Sequence, residues 1–357
     1  MEEKRPLLSV RDLTVRFRVR GRELTAIRGL SLDLFPGESL AVVGESGSGK
    51  SVLTKAFCGM LESNGTIAGG QILYREGDRE LDLTKLRRNG DWVRLRGSGI
   101  AMIFQDPMTS LDPIMPIGRQ ILSVIRRHQK CSAPEAKRRA LSMMEKVGIP
   151  EPEKRFRDYP FQYSGGMRQR IVIAIALACR PKILICDEPT TALDVTIQAQ
   201  ILELIKDLQK EFGYSIVFIT HDLGVVANIA DRVAVLYAGQ ILELGTAEEI
   251  FYDPRHPYTW ALLSSLPQLG RPGGELYSIP GSPPTLYGQL VGDAFAPRNP
   301  YRLRIDGLQE PPLFPVTDTH FARTWLLDPR APRVEKPEAI RDLHRKMLKT
   351  YDPGGQF

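Results

Sequence analysis

The sequence predicts an α/β protein built on a doubly wound, mostly parallel sheet, and three observations carry that expectation. Four apolar runs lack the alternation of a half-exposed strand: Leu40 to Val43, Ile100 to Phe104, Ile183 to Cys186 and Ile216 to Ile219. Strands buried on both faces of a parallel sheet read this way. Between the runs lie helical patterns, the clearest being Ile197, Ile201, Leu204, Ile205, Leu208 and Phe212, spaced near 3.6 residues and stopped by Gly213. Residues able to do chemistry follow the ends of all four runs, and the C-terminal edge of an open α/β sheet is where such folds bind ligands.

Taken in order, Met1 to Pro6 leads into strand-like sequence without the 7–15-residue apolar stretch that a signal peptide needs, so a cytosolic chain is expected. Leu7 to Phe17 and Ser31 to Phe35 read as alternating strands, punctuated by Gly21 and Pro36-Gly37, and a further strand-like stretch spans Gly70 to Tyr74. Pro107 to Tyr163 carries helical periodicity and no buried strand, which predicts a helical insertion. From Pro254 onward prolines break the chain into short pieces, which predicts a separate appendage; Pro337 to Lys349 suits a charged surface helix.

Composition narrows the function. With 42% hydrophobic and 25% charged residues, disorder and collagen-like structure are excluded. The longest near-continuous apolar run, Ile171 to Cys179, is about half of what crosses a bilayer. Cys58, Cys131, Cys179 and Cys186 lie far apart and read as reduced, packed thiols. The net charge of +6 is spread through short separated runs such as Lys137-Arg138-Arg139, which argues for solvated helix faces rather than a nucleic-acid footprint; weak attraction to an anionic membrane leaflet stays open.

Directly after the first buried run stands Gly44-Glu45-Ser46-Gly47-Ser48-Gly49-Lys50-Ser51, a full phosphate-binding loop. Its glycines let backbone N–H groups close around a phosphate, and the following helix adds its positive end. Lys50 is placed for the β- and γ-phosphates and the Ser51 hydroxyl for Mg²⁺. The third run ends in Asp187-Glu188: Asp187 suits a Mg²⁺ site, and Glu188 suits polarising an attacking water. Gln105 follows the second run, within reach of both metal and water, and His221 follows the fourth, suited to the γ-phosphate. A second anion site is expected at Ser164-Gly165-Gly166-Met167, where Ser164 suits an N-cap and the glycines leave N–H groups bare. Because the chain's own pocket is already supplied with phosphate ligands, a second copy of the fold could use that site as a clamp.

With these motifs assembled, the chain resembles an ATP-binding cassette (ABC) ATPase subunit over roughly Leu7 to Tyr252. The resemblance rests on a Walker A loop at Gly44 to Ser51, a Q-loop at Gln105, a signature Tyr163-Ser-Gly-Gly-Met167, a Walker B run Ile183 to Glu188, a D-loop Thr191 to Asp194 and a switch histidine, His221. The signature departs from Leu-Ser-Gly-Gly-Gln at its first and last positions. Phe17 sits where the family stacks an aromatic on adenine, although core packing explains it equally well. The resemblance implies a P-loop NTPase (RecA-like) core with an N-terminal antiparallel β subdomain, an α-helical signature subdomain at about 107–168 and a Pro-rich C-terminal extension, divided as cassette 1–252 and extension 253–357. It also implies two cassettes with ATP between Walker A of one and the signature of the other, and a membrane subunit docked on the helical insertion near Met108 to Arg127.

Within the family, Phe104 to Pro113 and His256 to Pro267, continued by Ile279 to Pro284 and Phe295-Ala-Pro-Arg298, resemble the ATPases of oligopeptide and dipeptide importers. Many of these carry four cysteines in the extension that resemble iron–sulfur ligands; the matching positions here are Asp293, Asn299, Asp306 and Thr324, and without thiolates no cluster is expected. Thr319 to Arg330 looks like a D-type subunit. That resemblance implies an F-type ATPase partner, two multi-spanning permeases, an extracytoplasmic peptide-binding protein, a peripheral place on the cytoplasmic face of the membrane, and no nucleic acid. Dipeptide, nickel or sugar cargo, a soluble non-transport cassette and a phosphate-loop kinase are the alternatives. The cassette alternative fits poorly with a single Walker A and no sustained heptads, and the kinase leaves the signature and His221 unexplained.

Overall fold

The computed structural model describes residues 5–87, 89–191, 193–266, 278–288, 290–338 and 340–341. Strands β1 (Leu8–Val19) and β2 (Arg22–Leu34) form a hairpin closed by Arg20 and Gly21, both at positive φ, as a two-residue turn between right-twisting strands requires. Strand β3 (Ser39–Val43) leads through the phosphate loop into helix α1 (Lys50–Phe57). Strands β4 (Gly65–Glu76) and β5 (Arg79–Asp82) return to the hairpin, giving an antiparallel sheet of order β2-β1-β4-β5. Helix α2 (Asn89–Leu95) then precedes β6 (Ile100–Ile103).

The expected insertion is helical: α3 (Pro107–Ser110), α4 (Ile117–His128), α5 (Ala133–Lys146) and α6 (Pro152–Arg155) precede α7 (Gly165–Leu177). Strand β7 (Ile183–Asp187), α8 (Val195–Phe212), β8 (Ser215–Thr220), α9 (Leu223–Ile229), β9 (Arg232–Tyr237) and β10 (Gln240–Thr246) complete the core. The C-terminal part holds α10 (Ala247–Tyr252), α11 (Pro257–Ser264) and the short strands β11 (Phe314–Pro315) and β12 (Phe321–Ala322). The main sheet has the order β11-β12-β10-β9-β3-β8-β7-β6, parallel from β9 to β6 and antiparallel beyond β9.

The lack of alternation in the buried strands has a direct cause. Leu40 and Val42 of β3 enter one apolar cluster with α1 and the antiparallel sheet, while Ala41 and Val43 enter another with α10, α11 and the C-terminal segment. Strand β8 divides the same way, Val217 and Ile219 to one face, Ile216 and Phe218 to the other. Each of the larger side chains contributes about 1.5–3 kcal/mol when fully buried, so both faces select for apolar residues. Helix α8 ends as expected at Gly213, at φ 70.

One expectation needs correction. The segment after Pro254 does not stand apart: β12 pairs with the edge of β10 through Glu243↔Ala322 and Leu244↔Phe321, and Leu286 accepts a hydrogen bond from Thr25 N–H at 3.0 Å. An exposed β10 edge would leave backbone groups unpaired, and the short strands cover it. The fully buried Glu243 and His320 meet at 2.7 Å across this joint. The helix expected over Pro337 to Lys349 falls mostly outside the described residues, as do Pro267 and Pro272. The four cysteines are free thiols, and among the described residues no helix is long and apolar enough to cross a membrane.

Candidate active site

The phosphate loop is shaped by positions that only glycine fits. Gly44 has φ 151, and a Cβ there would come within 2.1 Å of the Leu236 carbonyl oxygen; Gly49, the N-cap of α1 at φ 109, would bring one within 2.8 Å of the Ala26 carbonyl. Ser46 and Gly47 form the exposed rim, while Ser48 is buried with its hydroxyl unpartnered. The Lys50 ammonium turns into the loop and donates to the carbonyls of Gly44 at 2.7 Å and Glu45 at 2.9 Å. Burial lowers its pKa, opposed by the charges of Glu188, Asp187 and Glu45.

Strand β7 delivers the two carboxylates. Asp187 is buried and accepts a hydrogen bond from the Ser51 hydroxyl at 3.2 Å. Burial raises its pKa, with that bond acting against the shift. Glu188 sits in the left-handed region at φ 48, held by its N–H to the Ile219 carbonyl at 2.9 Å, a strained backbone of the kind found at functional sites. Its Oε2 accepts from Gln105 Nε2 at 2.9 Å and from the Thr191 hydroxyl at 3.1 Å, and its Oε1 lies 3.1 Å from His221 Nδ1. Residues following three neighbouring parallel strands therefore converge on one carboxylate, while the half-buried oxygen pair of Ser51 and Asp187 and the Lys50 ammonium lie at the adjoining loop.

Other expected residues lie elsewhere. Ser164 caps α7, accepting from Met167 N–H at 3.3 Å, and its glycine pair lies beside Leu193 and Ile197 rather than beside Gly44 to Ser51. Asp194 caps α8 through Ile197 N–H at 3.0 Å, so signature and D-loop form a second, adjoining surface. Phe17 is 9% exposed, with its ring over Gly65 and packed into the cluster of the antiparallel sheet. At the four positions that match cysteines in the resembling family, each side-chain oxygen caps a local turn: Asp293 receives Phe295 N–H, Asn299 Tyr301 N–H, Asp306 Leu303 N–H and Thr324 Leu326 N–H.

Sequence reasoning missed two partners of the loop. The Glu45 carboxylate is held by Arg298, and its N–H by the Tyr258 hydroxyl. Both fall in stretches, His256 to Pro267 and Phe295 to Arg298, that served only as family markers. No local pattern links positions 253 residues apart.

The fold and the site define a phosphate-loop nucleotide-binding protein of α/β class with a helical insertion. The sequence profile of the family described as "ABC transporter" matches residues 27–191, and that described as "Oligopeptide/dipeptide transporter, C-terminal region" matches 242–305. Oligopeptide transport ATP-binding protein AmiE of Streptococcus pneumoniae is 64% identical across 97% of this chain and 96% of its own length; OppD of Bacillus subtilis is 57% identical across 97% and 96%. The dimeric post-hydrolysis structure of the ATP-binding cassette MJ0796 bound to ADP and Pi aligns with a TM-score of 0.59 at 26% identity, over 67% of this chain and 98% of that one. The chain belongs to the ABC transporter ATP-binding family, and is an ATPase of that family.

Proposed function

We propose that this chain is the ATP-hydrolysing subunit of an importer that takes up oligopeptides across the cytoplasmic membrane. The observation that carries this reading is end-to-end similarity, C-terminal region included, to oligopeptide transport ATP-binding proteins, on a chain whose phosphate loop and Glu188 cluster suit ATP hydrolysis. On this reading, residues 1–252 are the cassette and 253–357 the extension. The chain lies peripherally on the cytoplasmic face, bound to two multi-spanning permeases, with an F-type ATPase completing a heterodimer and an extracytoplasmic protein presenting peptide.

The residues have distinct roles. Gly44 to Ser51 and Lys50 bind phosphate. The adjacent oxygens of Ser51 and Asp187 suit a hard cation, so they would hold Mg²⁺ with Gln105, and the ion would supply charge neutralisation at the phosphates. Glu188 takes the proton of the attacking water, and Gln105, Thr191 and His221 hold its carboxylate in place. Ser164 to Met167, with Asp194 beside them, face the nucleotide of the partner cassette.

The test is to tag the chain in its native host, solubilise membranes gently and identify what copurifies. Two multi-span permeases, a second cassette ATPase and a peptide-binding protein are expected; ribosomal proteins, or a soluble homodimer alone, would end the transport reading. A dipeptide cargo is the second reading, favoured by 55% identity over 95% of the chain to the dipeptide transport ATP-binding protein DppD of Lactococcus lactis. Competition between labelled peptides of different length in the purified complex separates the two.

A further inference from the structure

We infer that Arg298 is a positioning residue for the phosphate loop: the C-terminal segment packs at the end of β9, next to β3, neutralises the loop's own carboxylate at Glu45 and fixes that residue's backbone. The inference rests on the ATP-binding reading of Gly44 to Ser51 and extends it to residues outside the cassette.

Glu45 is anchored at each of its polar groups. Its N–H donates to the Tyr258 hydroxyl at 2.8 Å, and its carbonyl accepts from Lys50 Nζ at 2.9 Å. Its carboxylate receives the two arms of Arg298, Nη1 on Oε2 at 2.6 Å and Nη2 on Oε1 at 3.0 Å. Such a two-point fork is among the stronger charge-assisted contacts and sets direction as well as distance.

Arg298 is not an ordinary surface partner. Its side chain is 4% exposed against 26% for Glu45, so the cation is the buried member of the pair. Its remaining donors are also used: Nε on the Pro280 carbonyl at 2.8 Å, Nη2 on Ile279 at 3.3 Å and Nη1 on the Tyr237 hydroxyl at 3.2 Å. The guanidinium carbon lies 5.8 Å from the centre of the Tyr237 ring, and Tyr237 packs in turn against Tyr258 and Phe295. The guanidinium is therefore held by the 279–280 segment and by β9, and it presents a fixed fork to the loop.

The electrostatics give this arrangement a consequence. A loop that receives a polyphosphate carries an acidic side chain at its second position. Unpaired, that carboxylate would repel the phosphates and compete for the Lys50 ammonium, which the loop needs for the ligand. Arg298 cancels the charge and turns it toward the C-terminal segment. Tyr258 holds the backbone N–H of the same residue, which restrains the loop ahead of binding and reduces the ordering cost of the bound state.

The experiment uses the full chain and ATP itself, measured by calorimetry alongside the thermal midpoint and steady-state hydrolysis in the assembled complex. Arg298→Met is expected to weaken ATP binding roughly tenfold, raising KM with kcat little changed. Adding Glu45→Gln should recover most of that loss, because the repelling charge is gone, and Arg298→Lys should fall between, since an ammonium cannot make the fork. Wild-type ATP affinity in Arg298→Met, or no recovery in the double variant, would overturn the inference and leave Arg298 a packing residue. Should Arg298→Met fail to fold, Tyr258→Phe keeps the ring and removes only the hydroxyl; unchanged ATP affinity there overturns the inference as well. A wild-type chain that binds no ATP would instead refute the nucleotide reading, a result distinct from any of these.

Discussion

Glu188 Oε1 and His221 Nδ1 lie 3.1 Å apart, and the carboxylate is much the more enclosed of the two, its side chain 17% exposed against 60% for the imidazole. The carboxylate is thus clamped on its other oxygen by Gln105 and Thr191 while its partner stands at the open rim. As the proposed base, Glu188 has its carboxylate already oriented by these contacts. Glu188→Gln keeps the shape and removes the carboxylate that the proposed mechanism uses as proton acceptor. ATP turnover in the purified complex is expected to fall about 100-fold or more while ATP binding persists. Turnover within a few-fold of wild type would assign the base elsewhere.

The proposed phosphate-binding role of Lys50 can be tested directly. Its ammonium spans the loop between two carbonyls, and burial lowers its pKa while three nearby carboxylates oppose the shift. Lys50→Met should leave the thermal midpoint close to wild type, since the stem packs the same volume, yet weaken ATP binding roughly 30-fold or more by deleting the loop's one cation. Equilibrium dialysis against labelled ATP gives the answer; unimpaired binding would show that the N–H groups suffice.

What the sequence reveals of this molecule follows physical range. Leu40 to Val43 and Ile216 to Ile219 are legible because both faces of each strand are buried, and Gly44 to Ser51 because its geometry demands glycines in fixed order. Strands β9 and β10 are less so: they join through Ala238 and Gly239, both at positive φ, without an Asn-Gly or Asp-Gly signal. Strands β11 and β12 are two residues each, too short for any periodicity. The Arg298 fork on Glu45 joins residues 253 positions apart in the chain, which no window of sequence records.

The glycine pair in the expected signature gives a test that separates packing from contact with a partner. A Cβ at Gly166 would approach Ile197 Cγ2 to 2.8 Å, pressing on a branched side chain at the start of α8. At Gly165 the nearest atom would be Leu193 Cδ2 at 3.9 Å, an ordinary contact. Gly166→Ala should therefore lower the thermal midpoint of the isolated chain, whereas Gly165→Ala should leave it unchanged. If Gly165→Ala nevertheless impairs hydrolysis in the assembled complex, the loss supports the proposed contact of this surface with the partner's nucleotide. Full activity in Gly165→Ala would argue against close phosphate contact there.

Asp293 predicts a pH dependence of stability. It is 6% exposed, and burial, with Asp306 and Glu310 adding like charge and Arg28 and the Phe295 N–H acting against it, pushes its carboxyl up from 3.8 to about 6. Between those pH values the folded chain keeps a proton that the unfolded chain releases. The contribution of this group to stability is therefore fully present below about pH 4 and is lost as pH rises through 6, a change of up to about 3 kcal/mol. Asp293→Asn is neutral at every pH and retains the oxygen that accepts from Phe295 N–H at 2.9 Å. Its thermal midpoint should match wild type most closely near pH 3.5 and exceed it near pH 7.5, so the difference between the two proteins grows with pH. A difference that is the same at both pH values would mean that Asp293 is ionised throughout, with Arg28 outweighing burial.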